Sequence, residues 1–222
     1  MSKRMKLPPL GCIILTAIVG VFFLYDFFRV PYDPKSPICS VDKFYVPVLD
    51  KSLYSDENAD AATVDTTISF DLKLENGNSR RTGVKYGILN ISLYYIQKRD
   101  DIGRDQQITI GNVSIRGFHQ KGTKAVHRLE TVQTFGVPWK EAKMAVTNGS
   151  NTMFMVDLAS IVRLEIPYFD SDGYSTKTII ERRILNLGVN VSVNDQGMKT
   201  LPGSLRLISI SASSPYQSHV AF

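Results

Sequence analysis

The alternation of apolar and polar side chains is the feature that most limits what this chain can fold into. From Ile68 to Glu75, and again from Leu89 to Tyr95, every second residue is apolar and its neighbours are polar or exposed in character. Residues 185–193 repeat the pattern. In the long run 154–166, the larger apolar residues share one parity: Phe154, Val156, Leu158, Val162, Leu164 and Ile166. A period of two sends one row of side chains to a core and the other to water, as in an antiparallel sheet. With no regular alternation of strands and helices, the chain is predicted to be all-β.

Local interruptions of the pattern refine this prediction. Residues 108–110 and 113–115 read as one strand whose phase slips at Gly111, which predicts a β-bulge. One short helix is predicted from Trp139 to Val146, and Leu205–Leu207 begins a last short strand. About seven or eight strands separated by turn signals are typical of an antiparallel β-sandwich.

The N-terminal region has a different character. Residues 10–25 read LGCIILTAIVGVFFLY, sixteen residues without a charge, and Phe27-Phe28 extend the run past Asp26. As a helix, the nineteen residues to Phe28 would rise about 28 Å, close to a hydrocarbon core of roughly 30 Å. A buried core helix normally carries a polar stripe, and a cleaved signal peptide ends in small residues. Because the run has neither, it predicts a transmembrane signal anchor.

The charges around this anchor predict its direction. Lys3, Arg4 and Lys6 precede it and supply three of the net charge of +5. By the positive-inside rule, the chain is then a single-pass type II plasma-membrane protein whose C-terminal domain is extracellular. The predicted organisation is a cytosolic basic N-terminus (1–8), an anchor that has the lipid bilayer as its partner (9–29), a Pro-rich spacer (30–38), the sandwich (39–211) and a flexible tail (212–222).

The sequence carries no pattern typical of an active site. His119, His127 and His219 are not accompanied by the cysteines or clustered carboxylates of a metal centre. Nucleophile-elbow, phosphate-loop and H-E-x-x-H motifs are absent, and the acidic segments 100–101 and 170–173 read as turns, with calcium binding the weaker alternative. We therefore expect no enzyme, with no catalytic residue, metal or cofactor. Lys and Arg form no stripe interleaved with aromatics, so no nucleic-acid partner is expected.

The two cysteines predict no disulfide framework. Cys12 lies inside the apolar run and Cys39 stands alone beyond it, so the two cannot pair if they lie at different depths. Cys39 is either a free thiol, which we favour, or half of an intermolecular bridge.

Glycosylation is the one modification that the sequence favours. Asn90, Asn112, Asn148 and Asn190 each begin an N-x-S acceptor motif. Asn90 and Asn190 fall on the polar parity of their strands, and Asn148 lies in a predicted turn. All four are therefore predicted glycosylation sites on an exposed surface.

Several segments match, in order and spacing, those of a plant family. They are CSVDKFYVP (39–47) followed by KSL (51–53), ENGNSRRTGVKYGILNISLYY (75–95), FHQKG (118–122) and LGVNVSVNDQG (187–197). The second resembles the N-P-N-x-x-x-G-I-x-Y-x segment of harpin-induced, non-race-specific-disease-resistance-like proteins, with Gly77 in place of the proline. The third is similar to their F-Y-Q-G patch. The resemblance runs over nearly the whole chain.

This resemblance implies a late-embryogenesis-abundant, subgroup-two domain with an immunoglobulin- or fibronectin-III-like sandwich, on a plasma-membrane protein linked to defence and stress. Two departures limit what it implies. The C-terminus SSPYQSHVAF lacks the second hydrophobic stretch that directs a lipid anchor in some relatives. Asn194-Asp195-Gln196 replaces an Asn-Gly-Asp tripeptide, which speaks against wall adhesion by that route.

Two functional hypotheses follow. The leading one is a non-enzymatic surface protein whose outer domain binds a protein or cell-wall partner. The alternative is a carrier of a lipid or another apolar ligand, which would need a cavity lined by Ile68, Phe70, Leu89 and Leu164. The sequence sets neither the partner nor the oligomeric state.

Overall fold

The structure, a computed structural model, describes residue 20 and residues 34–54, 65–78, 81–97, 105–169 and 176–210. Apart from Gly20, the predicted anchor (9–29) lies outside the described residues, as do Lys3, Arg4, Lys6 and the tail. In the described part, no helix has both the length and the apolar character that crossing a bilayer requires. The chain divides into two units, Met1–Pro34 and Lys35–Phe222, and the second contains all of the strands named below.

That second unit is built almost entirely of strands. Its strands are β1 (Ile38–Asp50), β2 (Thr67–Glu75), β3 (Gly83–Tyr86), β4 (Leu89–Gln97), β5 (Gln106–Ile115), β6 (His119–Gln120), β7 (Val126–Gln133), β8 (Thr152–Phe169), β9 (Thr176–Val193), β10 (Gln196–Met198), β11 (Leu205–Arg206) and β12 (Ile208–Ser209). A 3₁₀ turn spans Lys51–Tyr54, and the helix α1 spans Trp139–Thr147.

The strands form two antiparallel sheets. A five-stranded sheet has the order β10-β1-β2-β7, with β11 also pairing with β1. A seven-stranded sheet has the order β12-β9-β8-β3-β6, with β4 between β8 and β5. Every strand pair in both sheets is antiparallel. This confirms the predicted all-β fold with antiparallel pairing.

The inner faces of the two sheets share one hydrophobic core. Phe154 of the seven-stranded sheet lies at its centre, with ring centroids 5.8 Å from Phe44 of the opposite sheet and 6.4 Å from Trp139 of α1. Each large apolar side chain buried this way stabilises the fold by about 1.5–3 kcal/mol relative to an exposed one. The alternate residues predicted to face inward in β2, β4 and β8 are buried, apart from the partly buried Ile166, which is consistent with the predicted sandwich.

Two β-bulges keep apolar side chains on this core. In β5, Gly111 pairs with Leu93 and Thr109 with Tyr94, so Ile110 is the extra residue and is buried. This confirms the bulge predicted there. Gly111 suits the site because a Cβ atom would lie 2.8 Å from a methyl group of Val132. A bulge adds one residue to one strand and so restores the inward phase that a plain strand would lose.

The second bulge lies in β1 and was not predicted. Val41 pairs with Leu72 and Lys43 with Asp71, so Asp42 is the added residue. Before the bulge the odd-numbered residues of β1 face the core, and after it the even-numbered residues do, beginning at Phe44.

The predicted helix is confirmed, with α1 ending one residue later than expected, at Thr147. It begins directly after Pro138, whose ring suits a helix start, and it buries Ala142 and Val146, one turn apart. The backbone N–H of Asn148 donates to the carbonyl of Met144, 3.0 Å away, and closes the last turn.

Candidate functional site

The segment ENGN (75–78), which carries part of the family resemblance, forms a buried hydrogen-bond clamp. The Asn76 amide donates to the carbonyl oxygens of Thr82 (2.8 Å) and Gly122 (3.0 Å). Its own oxygen accepts from the backbone N–H of Asn78 (3.1 Å) and from the Asn78 side-chain amide (2.9 Å). Asn76 is 3% exposed, so in the folded chain its polar atoms have these four hydrogen bonds in place of bonds to water. The two asparagines therefore join the β2–β3 loop, which contains both of them and Thr82, to the β6–β7 loop at Gly122.

Asn78 carries the clamp onward to the segment that enters the domain. Its side-chain oxygen accepts from the Lys35 N–H (2.7 Å) and its amide donates to the Lys35 carbonyl (2.8 Å), as a paired β-strand would. Beside this contact, the Arg183 guanidinium donates to the Ser36 hydroxyl at 3.1 Å, and Pro37 is buried. Residues 35–37, part of the predicted stiff and extended Pro-rich spacer (30–38), are held against the sandwich by these contacts, and Ile38 already belongs to β1.

The FHQKG segment has a similar structural role. The Gln120 amide donates to the carbonyl oxygens of Leu74 (3.2 Å) and Lys124 (2.7 Å), and its oxygen accepts from the Tyr86 hydroxyl (2.9 Å). Burial raises the pKa of Tyr86 far above its ordinary value. The Phe118 ring stacks on Tyr86 with centroids 4.7 Å apart. Gln120 thus satisfies two backbone carbonyl groups and the Tyr86 hydroxyl within the domain.

The turn that closes β9 contains the tripeptide that departs from the family pattern. The side-chain oxygen of Asn194 accepts from the backbone N–H groups of Gln196 (3.0 Å) and Met198 (3.1 Å). Asp195 pairs with the Lys51 ammonium at 2.9 Å, which lowers the pKa of that carboxyl. Gly197 has φ +68°, and a side chain there would collide with the Val46 carbonyl oxygen. The carboxylate of Asp195 is thus already engaged within the domain.

Two open clefts flank this turn. One, of about 240 Å³, lies between the end of β1 and α1, with Val48, Leu49 and Val146 in its wall. The other, of about 470 Å³, lies over the ion pair of Lys51 and Asp195. The four residues proposed to line an apolar ligand cavity, Ile68, Phe70, Leu89 and Leu164, line neither cleft and are each 0% exposed.

All four predicted glycosylation sites are exposed in the structure. Asn90 and Asn112 lie on the neighbouring strands β4 and β5, where Asn90 pairs with Ser114 and Asn112 with Ser92. The Asn90 side-chain oxygen accepts from the Ser114 hydroxyl at 2.8 Å. Asn190 lies on the same outer face of the seven-stranded sheet, and Asn148 lies in the turn after α1. Their neighbours Ile91 and Val191 are fully buried, so the predicted strand parity is confirmed. Glycan attachment itself stays a prediction.

Cys39 is a free thiol within the core. It is 1% exposed, and burial raises its pKa to about 12. A thiol without accessible surface cannot reach a second chain, so the alternative of an intermolecular bridge is wrong for this fold.

The two histidines of the described strands lie in different sheets. His119 Nε2 lies 3.1 Å from a Glu165 carboxylate oxygen in the seven-stranded sheet. On the outer face of the five-stranded sheet, His127 Nδ1 lies 3.0 Å from Asp71 Oδ2, and Asp42 is close to both. Sequence reasoning placed no carboxylates beside His127, because these residues come from three separate strands. The acidic segments 100–101 and 170–173 lie outside the described residues.

Comparison with known proteins bears on the family. No family model matches this chain. Protein NDR1 of Arabidopsis thaliana is 23% identical to it over 205 residues, which is 92% of this chain and 83% of NDR1. This match confirms the predicted resemblance to the harpin-induced, non-race-specific-disease-resistance-like family, of which NDR1 is a member. Since the match covers most of both chains, it does not depend on one shared segment.

Proposed function

We propose that this chain is a non-enzymatic, single-pass plasma-membrane protein that presents its sandwich outside the cell in plant defence and stress responses. The support is the apolar run of residues 10–25, the family resemblance and the relative in Arabidopsis thaliana. The proposal includes an immunoglobulin- or fibronectin-III-like topology of the late-embryogenesis-abundant, subgroup-two type.

The observation that carries the proposal is the clamp between Asn78 and Lys35. If the domain needed only a flexible linker, the residues before β1 would be free in water. Here two hydrogen bonds at 2.7 and 2.8 Å fix the backbone of Lys35 to the domain. The chain is therefore fixed to the sandwich from Lys35 onward, which suits a domain that is attached through its N-terminal end.

The non-enzymatic part rests on how the reactive side chains are used. Cys39 and Tyr86, two potential nucleophiles, are buried, and burial raises the pKa of each, which keeps them protonated. The side-chain amides of Asn76 and Gln120 donate their hydrogen bonds to backbone carbonyl oxygens. The apolar-carrier alternative gains no support, because Ile68, Phe70, Leu89 and Leu164 pack fully inside the core.

The experiment is a topology assay on intact plant cells that express the full chain with a tag at Met1. Protease added outside should remove the domain and leave the tag, and alkaline carbonate should leave the untreated chain in the membrane pellet. A matched variant with Lys3, Arg4 and Lys6 each changed to Glu should lose this uniform orientation. A protected domain, or the intact chain in the carbonate supernatant, would contradict the proposal.

We further propose that the partner binds the outer face of the five-stranded sheet. The sequons of β4, β5 and β9 occupy the outer face of the other sheet, so any glycans there would block it. Leu129 on β7 is 73% exposed and lies two residues before Thr131. Leu129→Asn therefore creates the acceptor Asn-Glu-Thr on that face with a single change.

The glycan attached to the Leu129→Asn variant should block this face and so abolish crosslinking of the full chain to its partner at the cell surface. Asn112→Gln, which removes a sequon from the opposite face, is the matched control and should leave the crosslinked species unchanged. If the Leu129→Asn variant is glycosylated and crosslinking persists, the partner binds elsewhere.

A further inference from the structure

Three neighbouring strands bring metal-ligating side chains together on the outer face of the five-stranded sheet. Asp42 comes from β1, Asp71 from β2 and His127 from β7. One ligand atom from each lies within 4.8 Å of the other two, and His127 Nδ1 lies 3.0 Å from Asp71 Oδ2. Ligands of one tetrahedral zinc ion, at about 2.0–2.2 Å from the metal, lie roughly 3.4 Å apart. Rotation of the half-exposed Asp42 side chain can close the remaining gap.

The register of the sheet explains why these three side chains meet. Because of the bulge in β1, Asp42 and Lys43 together oppose Asp71. His127 pairs with Lys73, two residues along β2, so it is the diagonal neighbour of Asp71. Diagonal neighbours lie close enough for a long side chain to reach across. Two carboxylates directly opposite each other repel, and a cation between them would remove that repulsion.

Two ammonium groups near the cluster, those of Lys73 and Lys199, contact other partners, and Lys43 lies opposite Asp71 in the register of the two strands. Lys73 Nζ lies 2.7 Å from a Glu75 carboxylate oxygen. Lys199 Nζ donates to two backbone carbonyl oxygens of the loop that follows it. One oxygen of Asp42 accepts from the Ser204 hydroxyl at 2.5 Å, which leaves its second oxygen available.

A separate observation indicates that the protein alone does not complete this cluster. Asp71 is only 9% exposed, and its Oδ1 atom is buried without a hydrogen-bond partner among the described residues. A buried carboxylate oxygen that lacks a partner is costly, and buried carboxylates are normally paired or bound to a metal. Asp71 is the middle residue of the three strands, between Asp42 and His127, so a cation held by the cluster would lie next to this oxygen.

We propose that Asp42, Asp71 and His127 bind a divalent transition-metal ion of the Zn²⁺ class. One imidazole and two carboxylates suit such an ion, whereas Ca²⁺ and Mg²⁺ prefer oxygen ligands alone. The two carboxylates balance the charge of the ion. Three protein ligands leave one coordination position for water or for a group of a binding partner. That a partner fills this position rests on the proposed function of this face.

The test is titration calorimetry of the full chain in neutral detergent with ZnCl₂, and with CaCl₂ as a comparison. Wild type should bind Zn²⁺ at one site that Ca²⁺ does not fill. Both His127→Ala and Asp42→Asn should lower the Zn²⁺ affinity at least tenfold. His119→Ala is the matched control, because His119 also pairs with a carboxylate, Glu165, but has no place in the cluster, and its Zn²⁺ affinity should equal that of wild type.

Correct folding of each variant is checked by its Trp139 fluorescence melt, and Asp42→Asn, at a half-exposed position, serves if His127→Ala fails to fold. No Zn²⁺ binding by wild type, equal affinity in Asp42→Asn, or an equal loss in His119→Ala would each overturn the site. If the full chain binds no Zn²⁺ but Leu129→Asn still abolishes crosslinking to the partner, the metal site is refuted and the proposed partner-binding face is not.

Discussion

Asn76→Asp is the most discriminating single change for the buried clamp. Aspartate has nearly the same shape as asparagine and keeps the acceptor oxygen that binds Asn78, so packing around residue 76 is unchanged. What it loses is the pair of N–H donors that bind the carbonyl oxygens of Thr82 at 2.8 Å and Gly122 at 3.0 Å. A carboxylate oxygen then faces two carbonyl oxygens in a site where residue 76 is 3% exposed.

The magnitude follows from the groups left without partners. Each buried carbonyl that loses its donor costs about 1–3 kcal/mol, so the two together cost roughly 2–6 kcal/mol. For a chain of 222 residues, a loss of about 4 kcal/mol lowers the melting temperature by roughly 8–16 °C. Because a protonated carboxyl can donate one bond, part of this loss should return as the pH falls toward 4.

The assay is the thermal melt of the full chain in neutral detergent, followed by tryptophan fluorescence. Trp139 is the one tryptophan of the sequence, and it lies 6.4 Å from Phe154 in the core, so its emission reports on the sandwich. Asn90→Asp, the same chemical change at an exposed asparagine, is the control and should shift the melt by no more than about 1 °C. A loss in Asn76→Asp as small as that of Asn90→Asp would refute the clamp.

Other predictions follow from burial. Burial raises the pKa of Asp157 from 3.8 to about 6, so the unfolded chain ionises first and stability falls as the pH rises from about 4 to about 6. Asp157→Asn should flatten that fall and add about 1–2 kcal/mol at pH 7, after a discount for partial exposure, and a denaturation series against pH measures it. Ile91→Asn should cost about 3–5 kcal/mol in the same melts, whereas Asn90→Gln should be nearly neutral, and the reverse order would invert the strand faces. Glycosidase should lower the apparent mass of the wild-type chain, and Asn90→Gln should remove part of that shift.

The elements that the sequence predicted well are those with a core on one side and water on the other. In β4, period-two alternation maps directly onto burial, so strand and face follow together. In β8 the inward residues share one parity, although Met153 and Met155 interrupt the alternation. The first half of β9 is different, because Ile179 and Ile180 are consecutive and both are exposed. A strand segment with neither face on a core has no alternation to read. β3 was missed because four residues are too few for a pattern.

The asparagines of the clamp were visible in the sequence only as part of a resemblance. Asn76 and Asn78 stand in a segment rich in turn-forming residues, and such residues usually serve their own loop. Their partners, Lys35 and Gly122, lie more than forty residues away along the chain. Local pattern cannot report a contact whose partner is chosen by the tertiary fold. The same limit applies to Gln120, which reaches the carbonyl of Leu74.

β1 shows most clearly why the metal cluster could not be predicted. Its apolar residues change parity between Val41 and Phe44, so the strand did not read as alternating. The structure attributes that change of parity to the bulge, which adds Asp42 to the strand opposite Asp71. One inserted residue therefore has two effects: it keeps both halves of β1 on the core, and it adds a second carboxylate beside His127 on the outer face. A deletion of Asp42 should thus disturb the core and the cluster at once, whereas Asp42→Asn changes only the cluster.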